Sequence, residues 1–249
     1  MASGDPTPTS VILWTRVTET LSGDVGLDWY VSPDTAFSVI TAQGTVTAGA
    51  ASDYTVKVLV SGLAAGSTYY YRFRSGTKYS LTGRAHTLPE GPTDHLRFGM
   101  VSCSNYEGGF FNAYAHLAAR NDLAAVVHLG DYIYEYGINI YGSNVPGRTH
   151  QPEHELLSLT DYRTRYSLHR LDPDLIRLHQ QHTFINVWDD HESANDSYTD
   201  GAQNHQPSEG DWEVRKATAK QAYFEWMPIA GSPEQPIYRR FRYGDLCDL

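Results

Sequence analysis

The spacing of apolar residues changes rhythm about a third of the way along the chain. As far as residue 89 the apolar positions come in short bursts, and several alternate with polar ones at period two. Val11–Val17, Leu27–Val31 and Tyr54–Val60 therefore read as strands, because alternate side chains of an extended chain face opposite sides of a sheet. Gly, Ser and Asp interrupt these runs at short intervals, the pattern of a β-sandwich. Thr87–Thr93 holds two prolines and a glycine and reads as a linker. These features divide the sequence into an all-β domain, residues 1–90, and a second domain, residues 95–249.

From Leu96 strand and helix patterns alternate, which favours a largely parallel sheet. Leu96–Cys103, Leu123–Asp131 and His182–Asp190 are the expected strands. Phe111, Tyr114, Leu117 and Ala118 recur at helical spacing, and Asp161–His169 and Trp212–Trp226 read as helices. Asp172 as N-cap with Pro173 in the first turn predicts another helix over Pro173–Gln181. A polar loop from about Gly137 to Leu159 is long enough to suggest a functional role. Ile237–Leu249 reads as strands of a hairpin or sheet.

Composition narrows the partners. A net charge of −10 over 249 residues argues against nucleic acid or an anionic membrane, both of which call for lysine and arginine clusters. A phosphate-binding function on so acidic a chain would need metal cations. No 18-residue apolar run is present, so no transmembrane helix is expected. The opening Met1-Ala2-Ser3-Gly4-Asp5-Pro6 carries no signal peptide and looks clipped. The two cysteines, Cys103 and Cys247, make no disulfide scaffold.

Three expected strands of the second domain end in polar clusters: Ser102-Cys103-Ser104-Asn105, Gly130-Asp131-x-x-Tyr134 and Asp189-Asp190-His191-Glu192. Strand ends of an open α/β sheet converge on one crevice. A thiolate, a phenolate and several carboxylates gathered there would raise one another's pKa values unless cations neutralised them. Soft thiolate with phenolate suits an iron-like or zinc-like centre, and carboxylates suit calcium, magnesium or manganese.

Those motifs carry a family resemblance. Gly130-Asp131-x-x-Tyr134 resembles the GDxxY motif of purple acid phosphatases in the metallophosphoesterase superfamily. Asp190-His191-Glu192 stands where that superfamily has Asn-His-Glu or Asn-His-Asp. With Cys103, Trp188–Glu192 and Asp161-Tyr162-Arg163-x-Arg165-Tyr166, the chain resembles the PhoD-like alkaline phosphatases, also known as phospholipases D of that type. Leu63–Phe73 is similar to the E–F corner of fibronectin type III sandwiches, where a tyrosine bonds back to the loop. The resemblance implies an N-terminal immunoglobulin- or fibronectin-like sandwich and the first half of a metallophosphoesterase domain. It implies a metal-dependent phosphoesterase, acting on phosphate monoesters or diesters through a metal-activated hydroxide or oxygen. Cys103, Asp131 and Tyr134 would be iron (Fe3+) ligands, and Asp131 would bridge to calcium. Asp190 would hold the second metal with help from Asn195, other divalent metals being alternatives. His191, with Asp190, would act in catalysis by stabilising the phosphate or protonating the leaving group. The full-length protein would be secreted or periplasmic. The late histidine motifs of the superfamily do not occur, so the chain reads as the first half of a longer protein. A catalytically incomplete fragment acting as a binding module is the alternative, and a cysteine hydrolase built on Cys103 is a poorer one.

Other polar residues take blander readings. His128, inside an apolar strand, reads as a satisfied core histidine. His150, Glu153, His154 and Glu155 read as a solvated loop cluster. His179 and His182 flank a helix end, where an imidazolium complements the dipole. Arg163, Arg165 and Arg170 read as surface ion pairs, and Asp189 as structural.

Overall fold

The computed structural model describes residues 1–18, 23–142 and 145–249. Its N-terminal third is built of strands: β1 Ala2–Gly4, β2 Ser10–Arg16, β3 Val25–Ser32, β4 Ala42–Ala48, β5 Thr55–Ser61, β6 Thr68–Ser75, β7 Lys78–Tyr79 and β8 Gly83–His86. The remainder alternates: β9 Phe98–Val101, α1 Asn112–Ala118, β10 Ala125–His128, α2 Leu159–His169, α3 Pro173–Gln181 and β11 Thr183–Asn186. It continues with β12 Ser197–Tyr198, β13 Gly201–Ala202, α4 Trp212–Trp226, β14 Arg242–Tyr243 and β15 Cys247–Asp248. No helix among the described residues is long and apolar enough to cross a membrane.

The principal sheet has the order β5-β2-β1-β11-β10-β9. β1, β11, β10 and β9 run parallel, and β2 and β5 continue the sheet antiparallel. The N-terminal strand β1 thus hydrogen-bonds to β11, with Ser3 opposite Thr183, so one sheet runs through both parts of the chain. A second sheet, β4-β3-β6-β7 with β8 on β6, lies over the β5-β2 end. Val11, Leu13, Val56 and Val60 of the first sheet share a core with Leu27, Val31, Tyr71 and Phe73 of the second. Tyr69 bonds back to the loop before it: the Ala64 N–H donates to Tyr69 Oη at 2.9 Å.

Period two explains how one sheet serves two cores. Trp14, Val126 and Phe184 point to one face, where they pack with Tyr114, Tyr166, Leu178 and Trp226 from the four helices. Ala125, Val127 and Ile185 point to the other, under Leu88, Phe241 and Tyr243. A parallel strand covered on both faces reads as a near-continuous apolar run; all four residues of β10 are buried, and only the last, His128, is polar. Each full burial of a Val, Leu or Phe is worth roughly 1.5–3 kcal/mol.

Helix starts follow from capping. Asp172 Oδ1 accepts the N–H groups of Asp174 and Leu175 beneath Pro173, which fixes the start of α3. Ser158 and Asp161 form a reciprocal capping box, so α2 begins two residues before the expected Asp161. The strands expected to reach Cys103, Asp131 and Asp190 end earlier, at Val101, His128 and Asn186. Cys103 (φ 59°) and Asp131 (φ 54°) take left-handed backbone conformations, which no strand accommodates.

Candidate metal centre

β9, β10 and β11 are adjacent and parallel, with Val101 opposite His128 and His128 opposite Asn186. Their carboxyl ends therefore lie side by side at the strand spacing of about 4.8 Å. The ladder persists past them: Cys103 N–H donates to Gly130 O (3.2 Å), Ser104 N–H to Asp131 O (2.7 Å) and Val187 N–H to His128 O (3.1 Å). Gly130, at φ +106°, lets the turns touch, since a Cβ there would stand 2.3 Å from Asp189 N.

These turns bring one ligand atom each of Asp131, Asp190 and His191 within 4.8 Å of one another. Cys103 and Tyr134 join them: Cys103 Sγ lies 3.5 Å and Tyr134 Oη 3.3 Å from Asp131 Oδ2. Asn195 sits at the margin, its Nδ2 donating to Gln203 Oε1 at 2.9 Å. Asp189 is exposed, and only its backbone N–H takes part, donating to Glu192.

Two buried acids without a role in the sequence reading hold the group together. Glu192 accepts the backbone N–H groups of Asp131 (3.0 Å), Tyr132 and Asp189 (2.8 Å), tying one strand end to the next. Burial pushes its pKa up to about 8, against those three donors, which favour the charged form. Glu135, fully buried, accepts from His191 Nδ1 (2.8 Å), Asn195 N (2.7 Å) and Asn204 Nδ2 (2.8 Å). Its signal in the sequence is an acid one position past the motif tyrosine, inside the aromatic run Tyr132–Tyr136. Arg165, also fully buried, donates to the carbonyls of Tyr134, Tyr136, Gln151 and Pro152, and so fixes the backbone under Tyr134.

The electrostatics follow from burial and crowding. Desolvation raises the pKa of Asp131; His191 and Cys103 oppose this, while Asp190 and Asp189 add to it. The Tyr134 phenol is pushed far up by burial, then by the charges of Asp131 and Cys103. Burial disfavours the His191 imidazolium, but the Glu135 hydrogen bond and charge, with Asp131 and Asp190, outweigh it and raise its pKa. Replacing Glu135 by glutamine removes that charge while keeping an acceptor for Nδ1. The His191 pKa is expected to fall. NMR titration of the imidazole in chelator-treated protein checks this, and an unchanged pKa would mean that Glu135 does not set it.

Several blander readings are corrected. His150 is fully buried, Nδ1 lying 3.2 Å from Tyr136 O, and only His154 of the expected solvated pair is exposed. His179 is buried against Tyr132 Oη (2.9 Å) and its pKa is driven well below 6.5 by burial, so it is a neutral core residue and no dipole-capping imidazolium. Arg163 does pair, with Glu225, but Arg165 bonds carbonyls and Arg170 lies 4.4 Å from the Trp14 ring centre. His128 is the core histidine expected, its Nε2 3.2 Å from Ser104 Oγ. Both cysteines are free.

Asp131 Oδ1 is buried and has no hydrogen-bond partner. A buried carboxylate oxygen without a donor is costly unless a cation meets it, and hard oxygens beside an imidazole and a thiol are a recognisable metal donor set. The residues present therefore fit a metal ion.

Fold and site together define an α/β protein with an acidic, metal-ready cluster at the carboxyl ends of its parallel strands. Residues 98–249 match the PhoD-like phosphatase family and residues 1–89 its N-terminal domain, and the chain belongs to that family. It is similar to alkaline phosphatase D of Bacillus subtilis (strain 168), 38% identical over 264 residues, covering 100% of this chain and 45% of that protein. The solved structure of PhoD superposes with a TM-score of 0.91 at 37% identity, over 99% of this chain and 50% of that one. The chain thus spans about half the length of these relatives.

Proposed function

We propose that this chain contributes to a metal-dependent phosphoric ester hydrolase, with Asp131, Asp190 and His191 at the centre of its site. The observation that carries the reading is the unpartnered Asp131 Oδ1 inside a cluster of ligand atoms spanning 4.8 Å, in a chain of the PhoD-like phosphatase family. Cys103, Asp131 and Tyr134 would hold iron. Asp131, Asp190 and Asn195 would hold calcium. Bound there, the metals would supply Lewis acidity and neutralise charge developing on the transferred phosphoryl group. The two-sheet core and the Tyr69 corner bond support an immunoglobulin- or fibronectin-like N-terminal domain, residues 1–90. Residues 95–249 would then be the first half of a metallophosphoesterase domain.

The chain's own groups explain the rest of the chemistry. Glu135 occupies His191 Nδ1, so Nε2 is the ring nitrogen left for the substrate. The raised His191 pKa keeps a proton there to higher pH, as a group that stabilises phosphate oxygens or protonates a leaving alkoxide requires. Tyr134 and Tyr136 stand against that imidazole, with ring centres 4.2 and 5.6 Å away, and restrict its rotation.

Asp131→Asn in the full-length protein is expected to lower hydrolysis of p-nitrophenyl phosphate by about 100-fold or more and to reduce bound metal. Metal analysis beside the assay tests this. Full activity in the variant, or activity untouched by chelator in a protein without iron, would overturn the reading. A second reading rests on coverage of only half of each relative: residues 1–249 by themselves bind without turning over. Assaying them beside the extended protein separates the two.

A further inference from the structure

The outer face of the second sheet carries an arginine that neither core nor metal centre uses. Arg72, on β6, holds its guanidinium carbon 4.0 Å from the ring centre of Phe37 and 4.3 Å from that of Tyr79, with Tyr30 at 6.0 Å. Its Nε is buried without a hydrogen-bond partner, and among the described residues no carboxylate pairs with it. Its neighbour Arg74 is different, being bonded to Asp28 at 2.6 Å. A guanidinium presents five N–H donors in a planar fork, and here the surroundings supply rings in place of acceptors.

The cage is preorganised. Phe37 stands at φ +55°, a conformation that costs a bulky residue of order 1–3 kcal/mol and tends to mark ligand clamps. Asp34 holds the loop in that shape, accepting from Ala36 N (2.8 Å) and Ser38 Oγ (2.6 Å). Arg84 lies on the same face, opposite Tyr70 in the register, and donates to the Asn121 carbonyl. Asp28 is paired with Arg74, and Asp34 is taken up within its own loop. Arg72 and Arg84 are thus left without a carboxylate partner among the described residues of this face, on a chain of net charge −10.

That chemistry points to an oxyanion carried on a ring-bearing polymer. A guanidinium fork takes carboxylate or sulfate bidentately, and Tyr79, 48% exposed, offers a flat flank for a sugar ring. Tyr70, Arg72 and Arg74 follow one another every second residue along β6, steps of about 7 Å, along which an extended chain can lie. Nucleic acid would call for a longer basic stripe. We propose that Arg72, caged by Phe37, Tyr79 and Tyr30, anchors a binding site for an acidic polysaccharide, gripping its sugar carboxylates or sulfates.

Affinity electrophoresis of the 249-residue chain through gels containing polygalacturonate, heparin, neutral dextran or single-stranded DNA tests this. Retardation by polygalacturonate identifies the carboxylate source and retardation by heparin the sulfate source, with dextran inert. Arg72→Gln should weaken binding at least about tenfold and leave thermal unfolding unchanged. Should Arg72→Gln fail to fold, Tyr79→Ala, at a half-exposed ring, should still weaken binding at least about threefold. No retardation by either polysaccharide, retention unchanged in both variants, or tighter binding to DNA than to both polysaccharides would overturn the proposal.

Discussion

Gly130→Ala is expected to destabilise the protein by more than about 4 kcal/mol, in the exceptional range for single substitutions, and to scatter the metal centre. The glycine sits at φ +106°, and an added Cβ would lie 2.3 Å from Asp189 N, 2.5 Å from Asp189 Cβ and 2.8 Å from Trp188 C. Two of these are backbone atoms of the neighbouring strand end, so relief requires the turns to part. Parting them pulls Asp189 N from Glu192 and moves Asp131 away from Asp190 and His191. Gly210 separates the steric part from the conformational part, because it has φ +101° and open space around its Cβ position. Gly210→Ala should cost only about 1–2 kcal/mol. Urea melts of both variants give the comparison. Equal losses, or a folded Gly130→Ala with full metal binding, would show that close approach at Gly130 is unimportant.

Acidification is expected to destabilise the protein from about pH 6.5 downward, before its ordinary carboxylates titrate. His128, His150, His169 and His179 are at most 1% exposed. Burial drives the first three down to a pKa of about 3 and the fourth well below 6.5. In the unfolded chain each takes up a proton near pH 6.5, whereas the fold holds them neutral until far lower pH. Between those values the unfolded state binds more protons, so stability is complete above pH 6.5 and is lost as pH falls below it. Each contributes a slope approaching 1.4 kcal/mol per pH unit, about 5.5 for the four, and Glu192, whose pKa the fold raises to about 8, opposes them by about 1.4, leaving about 4. A domain near the lower end of ordinary stability, about 5–8 kcal/mol, would then unfold at roughly pH 4.5–5. Urea melts from pH 8 to pH 5 measure the slope, and His128→Gln should lower it by about a third. A flat profile, or a slope indifferent to that substitution, would mean that these rings titrate normally in the fold.

Part of this architecture is legible in the chain. Asp172-Pro173 sets the start of α3, and α3 and α4 run over the residues their patterns predict, because capping and period are local properties. The apolar runs also find β2, β3, β5, β9, β10 and β11, with boundaries too long for β9, β10 and β11; left-handed Cys103 and Asp131 follow the first two. Cys103, Asp131, Tyr134, Asp190 and His191 stand out because polar groups directly after buried strands have one crevice to enter. By contrast β1, three residues without any periodicity, is invisible until β11 lies beside it.

What the sequence by itself determined is which residues can be strand, helix and cap, and which polar groups end the parallel strands. Only the tertiary structure decided that Glu135 would hold His191, that Glu192 would bind three amides of two strand ends, and that Arg165 and His150 would be buried. It also decided that Arg72 would face rings instead of a carboxylate. The reason is physical: a charged side chain reads as solvated until packing removes its water, and its partner, 24 residues away for Arg148 and Asp172 or 56 for Glu135 and His191, follows from how sheet and helices stack.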